Sequence, residues 1–465
     1  MKHSNIFFPI EVIDRELDAK LLLAGLLSNK VGYIVIAQHD LVIKLINLSL
    51  NGIYFGKNIM NPKKIQMYRS AKERGFVIAH LDEEFNYKGL QPEIESMLDS
   101  RLDVTTMKSD DYVFTCGKFQ EDHYKSKCND LNQPFITTTG HIRLDLFKKQ
   151  FRNYHEDQAK IYREKYGPYI LIPTTFGFAV SPYGYSDTFS ERNGYGVSEY
   201  KSSNLVRKWS AQWRQLSHLI ELIHVISPKF PDLQIIVRPH VAEDKEFYYS
   251  ALDGLANVKV LREGTSAPWV AGSDLLIHNA STVGLEAYFL QKSVIHYEFS
   301  SNEEVDSLIV KKIGSTCKNP PEVIKAINDV VEGKKIENNE EFDEFDHRTI
   351  DQLKNDDYMR LPKLLDELIK NKSSKDISKT VPIIRLFLIE YLYQIKNFIK
   401  KPIRKLFFPK LQRSYLAQQI AFPGFKKVDL LSRLNRIEKL TGKKFEIKFI
   451  GKRIFFIKPL SDRNK

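Results

Sequence analysis

The chain has 465 residues, 42% hydrophobic and 28% charged, with a formal net charge of +12. That is the composition of a soluble globular protein, and at roughly 100–200 residues per domain it makes two large domains, with or without a smaller piece. It excludes a disordered, collagenous or coiled-coil architecture, and no uncharged apolar run reaches the roughly 18 residues that a spanning helix needs.

Three cysteines, Cys116, Cys128 and Cys317, give no paired framework and no CxxC zinc knuckle, which fits a reducing, cytosolic compartment. The stretch Met1–Glu11 has too short an apolar run for a signal peptide. The charge is uneven. Val381–Lys465 holds 21 Lys and Arg against 5 Asp and Glu, an excess of +16, so the residues before it carry −4. A mildly acidic body and a strongly basic tail region meet different partners.

In chain order, the first half alternates β-rich runs with helical patterns. Asn5–Val12 reads as a strand, Glu16–Ser28 as a helix with a wide apolar face, and Gly32–Ala37 as a buried strand. Ile53–Phe55, Phe76–His80, Tyr112–Cys116 and Phe135–Thr138 are further strands, with helix-compatible segments between them. Such alternation makes a parallel sheet covered on both faces. The pattern restarts at Tyr169–Pro173. A long polar, aromatic stretch, Phe176–Asn204, leads into an amphipathic helix over Leu205–Ser227. Short strands follow at Leu233–Val237, Val258–Leu261, Asp274–His278 and Ser293–Tyr297, and the unit ends near Val331. The acidic, polar stretch Gly333–Phe345 reads as a surface loop or boundary. Two Rossmann-like halves in series put ligands beyond the carboxyl ends of their strands, so chemistry is sought in the residues just after each strand.

The most informative stretch runs from Ile235 to Tyr297. A buried strand ends in Arg238-Pro239-His240, Pro268-Trp269 follows, and the strand Asp274–His278 runs into the polar turn Asn279-Ala280-Ser281-Thr282. A helix from about Val283 carries Glu286. Ser281 or Thr282 can cap that helix, whose start suits a phosphate. Arg238 and His240 can donate to the same phosphates, and Glu286, one turn further in, can accept the two hydroxyls of a ribose. Each element alone also reads as an ordinary strand end or cap; the order and spacing together favour a nucleotide-sugar pocket.

These residues resemble the donor-binding half of a GT-B glycosyltransferase. More narrowly, the chain resembles the bacterial surface carbohydrate biosynthesis protein family. The matching pieces are FPIEVIDRELDAKLLLA, VIAHLDEE, TTGHIRLDLF, ILIPTTFGF, IIVRPH, APWVAGSDLLIHNASTVGLEAYFLQKSVIHY and AFPGF, which cover most of the chain to about Phe425. The resemblance implies an α/β, GT-B fold of two facing Rossmann-like domains with a basic C-terminal extension. The domains are then an acceptor domain over 1–165, a donor domain over 166–345, and a helical, basic, membrane-facing region over 346–465. The donor-binding residues are Thr174, Thr175, Gly177, Arg238, His240, Trp269, Asn279, Ser281, Thr282 and Glu286. The His-Pro motif that holds CMP in bacterial sialyltransferases and Kdo transferases is reversed here as Pro239-His240, which leaves the nucleotide open.

The N-terminal half supplies the other partner's residues. Glu11, Arg15, Glu16 and Asp18 surround a strand-to-helix turn, where Asp18 or Glu11 can take a proton from an acceptor hydroxyl; a solvated first helical turn is the other reading. Asp82-Glu83-Glu84 resembles the acidic motif that supplies the catalytic acid of bacterial sialyltransferases, with Phe85 where that motif has Gly; an exposed acidic loop is the alternative. The resemblance places Gly140-His141-Ile142-Arg143 at the domain junction, with Arg15, His141 and Arg143 available to an anionic acceptor. No DxD, HExxH, GxSxG, Walker A or GxGxxG sequence is present and the histidines lack ligand-like spacing, so neither a metal nor a bound cofactor is expected.

The tail mixes Lys and Arg with apolar residues. Phe407, Phe408, Leu388 and Tyr391 can enter a headgroup boundary while Lys400, Lys401, Arg404 and Lys405 meet lipid phosphates. A helical cap on the body is the rival reading, and the absence of an RNA-binding or helix-turn-helix signature argues against nucleic acid. The expectation is a metal-independent glycosyltransferase of bacterial surface polysaccharide, capsule or lipopolysaccharide, peripheral on the cytoplasmic side of the inner membrane. Its donor is a nucleotide-sugar, with CMP-activated Kdo or a nonulosonic acid preferred, and its acceptor a lipid-linked glycan. The alternatives are a CDP-glycerol-type polyol-phosphate transferase and a non-catalytic scaffold of a glycan assembly complex.

Overall fold

The computed structural model describes residues 4–47, 51–59, 62–83, 91–128, 133–279, 281–299, 308–336, 342–373, 386–396 and 422–460. Contacts divide the chain into two units. One comprises Met1–Glu84, Glu95–Leu146 and Glu344–Lys465; the other comprises Phe85–Ile94 and Phe147–Asp343.

In the first unit, apolar runs such as IFFPI and VIAHL are buried along their whole length, as strands covered on both faces must be. They form β1 (Ile6–Ile10), β2 (Ile34–Gln38), β3 (Ile53–Gly56), β4 (Val77–Leu81), β5 (Tyr112–Thr115) and β6 (Phe135–Thr138), paired in parallel in the order β2-β1-β3-β4-β5-β6. Helix α1 (Ile13–Leu26) follows β1. The strand order reverses between β1 and β3, and that is where such sheets leave a crevice at their carboxyl ends.

In the second unit, β7 (Tyr169–Pro173), β8 (Gln234–Arg238), β9 (Val258–Val260), β10 (Leu275–His278), β11 (Ser293–Tyr297) and β12 (Ser315–Cys317) form a parallel sheet ordered β12-β11-β10-β7-β8-β9. This is the dinucleotide-fold order, reversing between β7 and β10. Ile172, Val237, Ile277 and Ile295 of the sheet share one core with Leu216, Leu219 and Ile223 of the long helix Glu199–Ile226. The α/β class and the two Rossmann-like units expected from the sequence are thus present and fit the GT-B type.

The C-terminal region departs from the helical expectation. Beyond the helix Lys427–Thr441 lies a hairpin, β13 (Phe445–Gly451) and β14 (Ile454–Pro459), and β14 pairs antiparallel with β2. The last strands therefore extend the first sheet. Much of the tail, including Lys400, Lys401, Arg404, Lys405, Phe407 and Phe408, lies outside the described residues.

The chain re-enters the first unit at Glu344–Leu353, where the N–H of Asp351 donates to the Cys116 carbonyl at 2.9 Å. Gly117 makes this approach feasible, because a Cβ there would meet the backbone carbonyls of Arg348 and Thr349. Gly117→Ala is expected to lower stability by about 1–3 kcal/mol, the usual cost of overpacking. An unchanged urea midpoint would show that this segment yields freely.

Candidate functional site

In the second unit, residues proposed from the sequence cluster beyond the carboxyl ends of four adjacent strands, β10, β7, β8 and β9. After β7, the Thr174 hydroxyl and the Phe176 N–H both donate to Glu243, which also accepts from the Tyr248 hydroxyl at 2.7 Å. Burial pushes the Glu243 carboxyl up, against those three donors. Gln212 accepts from the N–H of Phe178 at 2.8 Å and donates to the Thr175 carbonyl at 3.3 Å. The turn is therefore fixed from below, with Thr175 and Gly177 half-buried at its top. Gly177 leaves room for the chain at Ala242, whose carbonyl a Cβ would approach to 3.3 Å.

After β8, Arg238 donates to the carbonyls of Glu263, at 2.8 Å, and Gly264. From the other side of the same turn, Ser266 donates to Glu286 at 2.7 Å. The structure thus brings Arg238 and Glu286 onto one turn, and Arg238 spends two of its N–H donors holding that turn. His240 is exposed; its Nδ1 accepts from the Ala242 N–H at 3.2 Å, and its carbonyl accepts from Arg262.

Trp269 differs from expectation. It is fully buried, stacked on Tyr162 with ring centroids 3.8 Å apart, and its indole N–H donates to the Glu263 carbonyl at 2.8 Å. It packs the turn that Arg238 holds and does not face a ligand. After β10, the Asn279 amide donates to the Tyr297 carbonyl at 2.8 Å, which ties β10 to β11. Thr282 is exposed and does not cap the short helix Val283–Phe289 with its side chain; the buried Ser281 hydroxyl accepts from the Val283 N–H at 3.4 Å.

In the first unit, the reversal between β1 and β3 is occupied by charge. Glu11 follows β1 and Lys57 follows β3, with Nζ to carboxylate at 2.8 Å. Lys64 at 3.6 Å and His39 at 3.8 Å complete the ring around Glu11, whose side chain is 37% exposed. Burial works against ionisation of Glu11, but Lys57, His39 and Lys64 outweigh it and bring its pKa down to about 2. Burial lowers His39 and Lys64, while in Lys57 the two carboxylates overcome burial and raise it. Glu16 is fully buried. It accepts from the N–H groups of Glu11 at 2.9 Å and of the N-cap residue Val12 at 3.3 Å, reaching back as the carboxylate of a capping box does, and it pairs with Lys57 at 2.8 Å. Arg15 lies 3.4 Å from Glu16.

Glu83, just after β4, is sealed. Lys20 Nζ stands 2.7 Å from it and His141 Nε2 3.5 Å, while Arg143 donates to its backbone carbonyl at 3.1 Å. Burial would raise its carboxyl, yet Lys20, His141 and Arg143 hold it well below the usual range. Burial keeps His141 neutral, with its pKa down to about 3. Its Nδ1 accepts from the Arg143 N–H, so the ring proton belongs on Nε2, toward Glu83. An ionised, buried carboxylate cannot serve as the expected acid; Glu83 positions its neighbours. Asp18 is elsewhere, paired at 2.7 Å with Arg433 of the helix Lys427–Thr441. On α1, residues 16 and 20 point one way and 14 and 18 another, as the helical repeat requires.

Sequence reasoning passed over Lys20, His39, Lys57, Lys64 and Glu243. Lys57 satisfies the same end-of-strand rule that picked Glu11. Lys20 sits in the apolar run of α1, where a charge demands a partner.

No family model matches the sequence, and no curated protein does. Among solved structures, the chain is similar to the UDP-GlcNAc 2-epimerase of Methanocaldococcus jannaschii, at 12% identity over 79% of this chain and 100% of that one, with a TM-score of 0.44. It is also similar to S. aureus MnaA, at 13% identity over 82% and 99% of the two chains and a TM-score of 0.42. A third is the wall teichoic acid polymerase TagF, at 10% identity over 80% and 89%, also with a TM-score of 0.42. These likenesses carry no residue roles over to this chain.

Proposed function

We propose that this chain is a glycosyltransferase of bacterial surface polysaccharide biosynthesis. Its second unit binds a nucleotide-activated sugar, with a CMP-linked acidic sugar preferred, and its first unit binds a lipid-linked glycan acceptor. The observation that carries this reading is the β7/β10 reversal, with Thr175 and Gly177 after β7 and Asn279, Ser281 and Glu286 after β10. That is where a sheet of this order takes a nucleotide. His240 is the exposed donor for the leaving phosphate, and Glu286 accepts a ribose hydroxyl. Arg238, Trp269 and Glu243 set the turns that present them.

In the reaction, an acceptor hydroxyl oxygen bonds to the anomeric carbon of the sugar. The bond from that carbon to phosphate oxygen breaks, and the nucleotide leaves with the electron pair. Glu11, ionised and half-exposed, accepts the hydrogen bond of the incoming hydroxyl, takes its proton as the new bond forms and passes it on to water. The step is proposed to need no metal, so activity should survive EDTA.

Calorimetry of the full chain with CMP, CDP and UDP tests the donor half. His240→Ala and Glu286→Gln should each weaken the nucleotide that binds by about tenfold or more, since a hydrogen bond to a charged group contributes roughly 1.5–3 kcal/mol. Normal binding by both variants would put the pocket elsewhere. Binding of no nucleotide would favour the scaffold alternative. Turnover of CDP-glycerol but of no CMP-sugar would favour the polyol-phosphate alternative.

A further inference from the structure

The helix at 386–396 has its polarity inside out. Its one acidic residue, Glu390, is buried and pairs with the equally buried Arg453 at 2.8 Å. The Arg453 guanidinium lies 3.3 Å from the centre of the Tyr393 ring. Gly451 gives this clamp its room, because a Cβ there would come within 2.6 Å of Glu390. The helix is therefore fastened by its polar side to the β13–β14 hairpin. Its outward side is apolar: Phe387 is 50% exposed, Leu388 55%, Tyr391 63%, Leu392 54% and Ile395 39%. These five follow the spacing of one helical face, so they form a stripe. Among the described residues no helix is long and apolar enough to cross a membrane.

We propose that this stripe is a docking face for an anionic lipid surface, with the helix lying in the headgroup boundary and the Glu390–Arg453 clamp holding the first unit to it. The occupant follows from charge. From Tyr391 to Val428 the sequence has nine Lys and Arg and no Asp or Glu, and Lys396, Lys426 and Lys427 are exposed. A second copy would bring the same cations against these, whereas lipid phosphates neutralise them while the acyl boundary takes the stripe.

The test is co-sedimentation of the full chain with vesicles of phosphatidylcholine alone or mixed with phosphatidylglycerol. Truncation at Thr380 is unsuitable because it also removes β13 and β14. The wild type should bind the anionic vesicles, fail to bind the neutral ones, and be released by high salt. Leu388→Glu with Leu392→Glu should weaken binding about tenfold or more without moving the melting temperature, since each change takes an apolar side chain out of the boundary. Val331→Glu, at a residue 62% exposed in the second unit, should leave binding unchanged. Equal binding by the double variant, equal binding to neutral vesicles, or no binding at all would overturn the proposal. So would a wild-type dimer that the double variant turns into monomer, since the stripe would then be an interface between copies. No donor enters this measurement, so its failure leaves the nucleotide reading standing, and failure of nucleotide binding leaves this one standing.

Discussion

Lys20→Met is expected to destabilise the first unit by about 3–5 kcal/mol, the usual cost of breaking a buried ion pair from one side. The methionine fills the space under Phe55, over which the Lys20 ammonium now sits at 4.3 Å. What it cannot do is neutralise Glu83, which is 1% exposed. Pairing the change with Glu83→Gln should recover most of the loss, because no buried charge is then left alone. Hydrogen exchange of peptides from β1 to β6 reads the effect. A double variant no more stable than Lys20→Met would show that the pair does not act as a unit.

The same carboxylates set the response to acid. Glu83 and Glu11 are both held below their ordinary values, so the folded state binds fewer protons than the unfolded one. Their contribution is present at neutral pH and is lost as pH falls; for Glu11 the window runs from about 4.5 down to about 2. Lys20→Met takes away the strongest cation beside Glu83, so that variant should lose less stability than the wild type between neutrality and mild acid.

Glu243→Ala is the second large effect. It strands the Thr174 hydroxyl, the Tyr248 hydroxyl and the Phe176 N–H, all buried. An unsatisfied buried donor costs roughly 1–3 kcal/mol, so a loss of about 3 kcal/mol or more is expected. Glu243→Gln keeps the volume and one acceptor and should fold. If the turn after β7 positions the donor, Glu243→Gln should still weaken nucleotide binding in calorimetry while its melting temperature stays close to that of the wild type. Full nucleotide affinity in Glu243→Gln would detach the turn from the donor site.

Much of the fold was legible because buried parallel strands are written as uninterrupted apolar runs. Ile6–Ile10, Tyr169–Pro173 and Ser293–Tyr297 could hardly be read otherwise. β12 has only Ser315, Thr316 and Cys317 and no such run. The hairpin is written less plainly: in β13, Phe445, Ile447 and Phe449 alternate with Glu446 and Lys448, and the excess of Lys and Arg around it masks that period of two. The site was legible at the level of strand ends and not of side-chain direction. Glu16 and Asp18 look alike in the sequence; 200° of helical rotation sends one into the β1/β3 crevice and the other to Arg433. Arg238 and Trp269 sit in the expected place, yet the carbonyls of Glu263 and Gly264, invisible to any motif, claim them.

The pairing of β14 with β2 has a consequence for the order of synthesis. Ile36 meets Phe455 across that ladder, so the edge of β2 waits for residues made roughly 400 positions later. At about 5–20 residues per second, a ribosome needs on the order of 20–80 s to cover that distance. Before that interval ends the second unit, complete at Asp343, can close on its own nearly continuous segment, while the first still carries an open strand edge, the kind of template on which chains mispair. The half of the protein that emerges first is thus the half that is finished last.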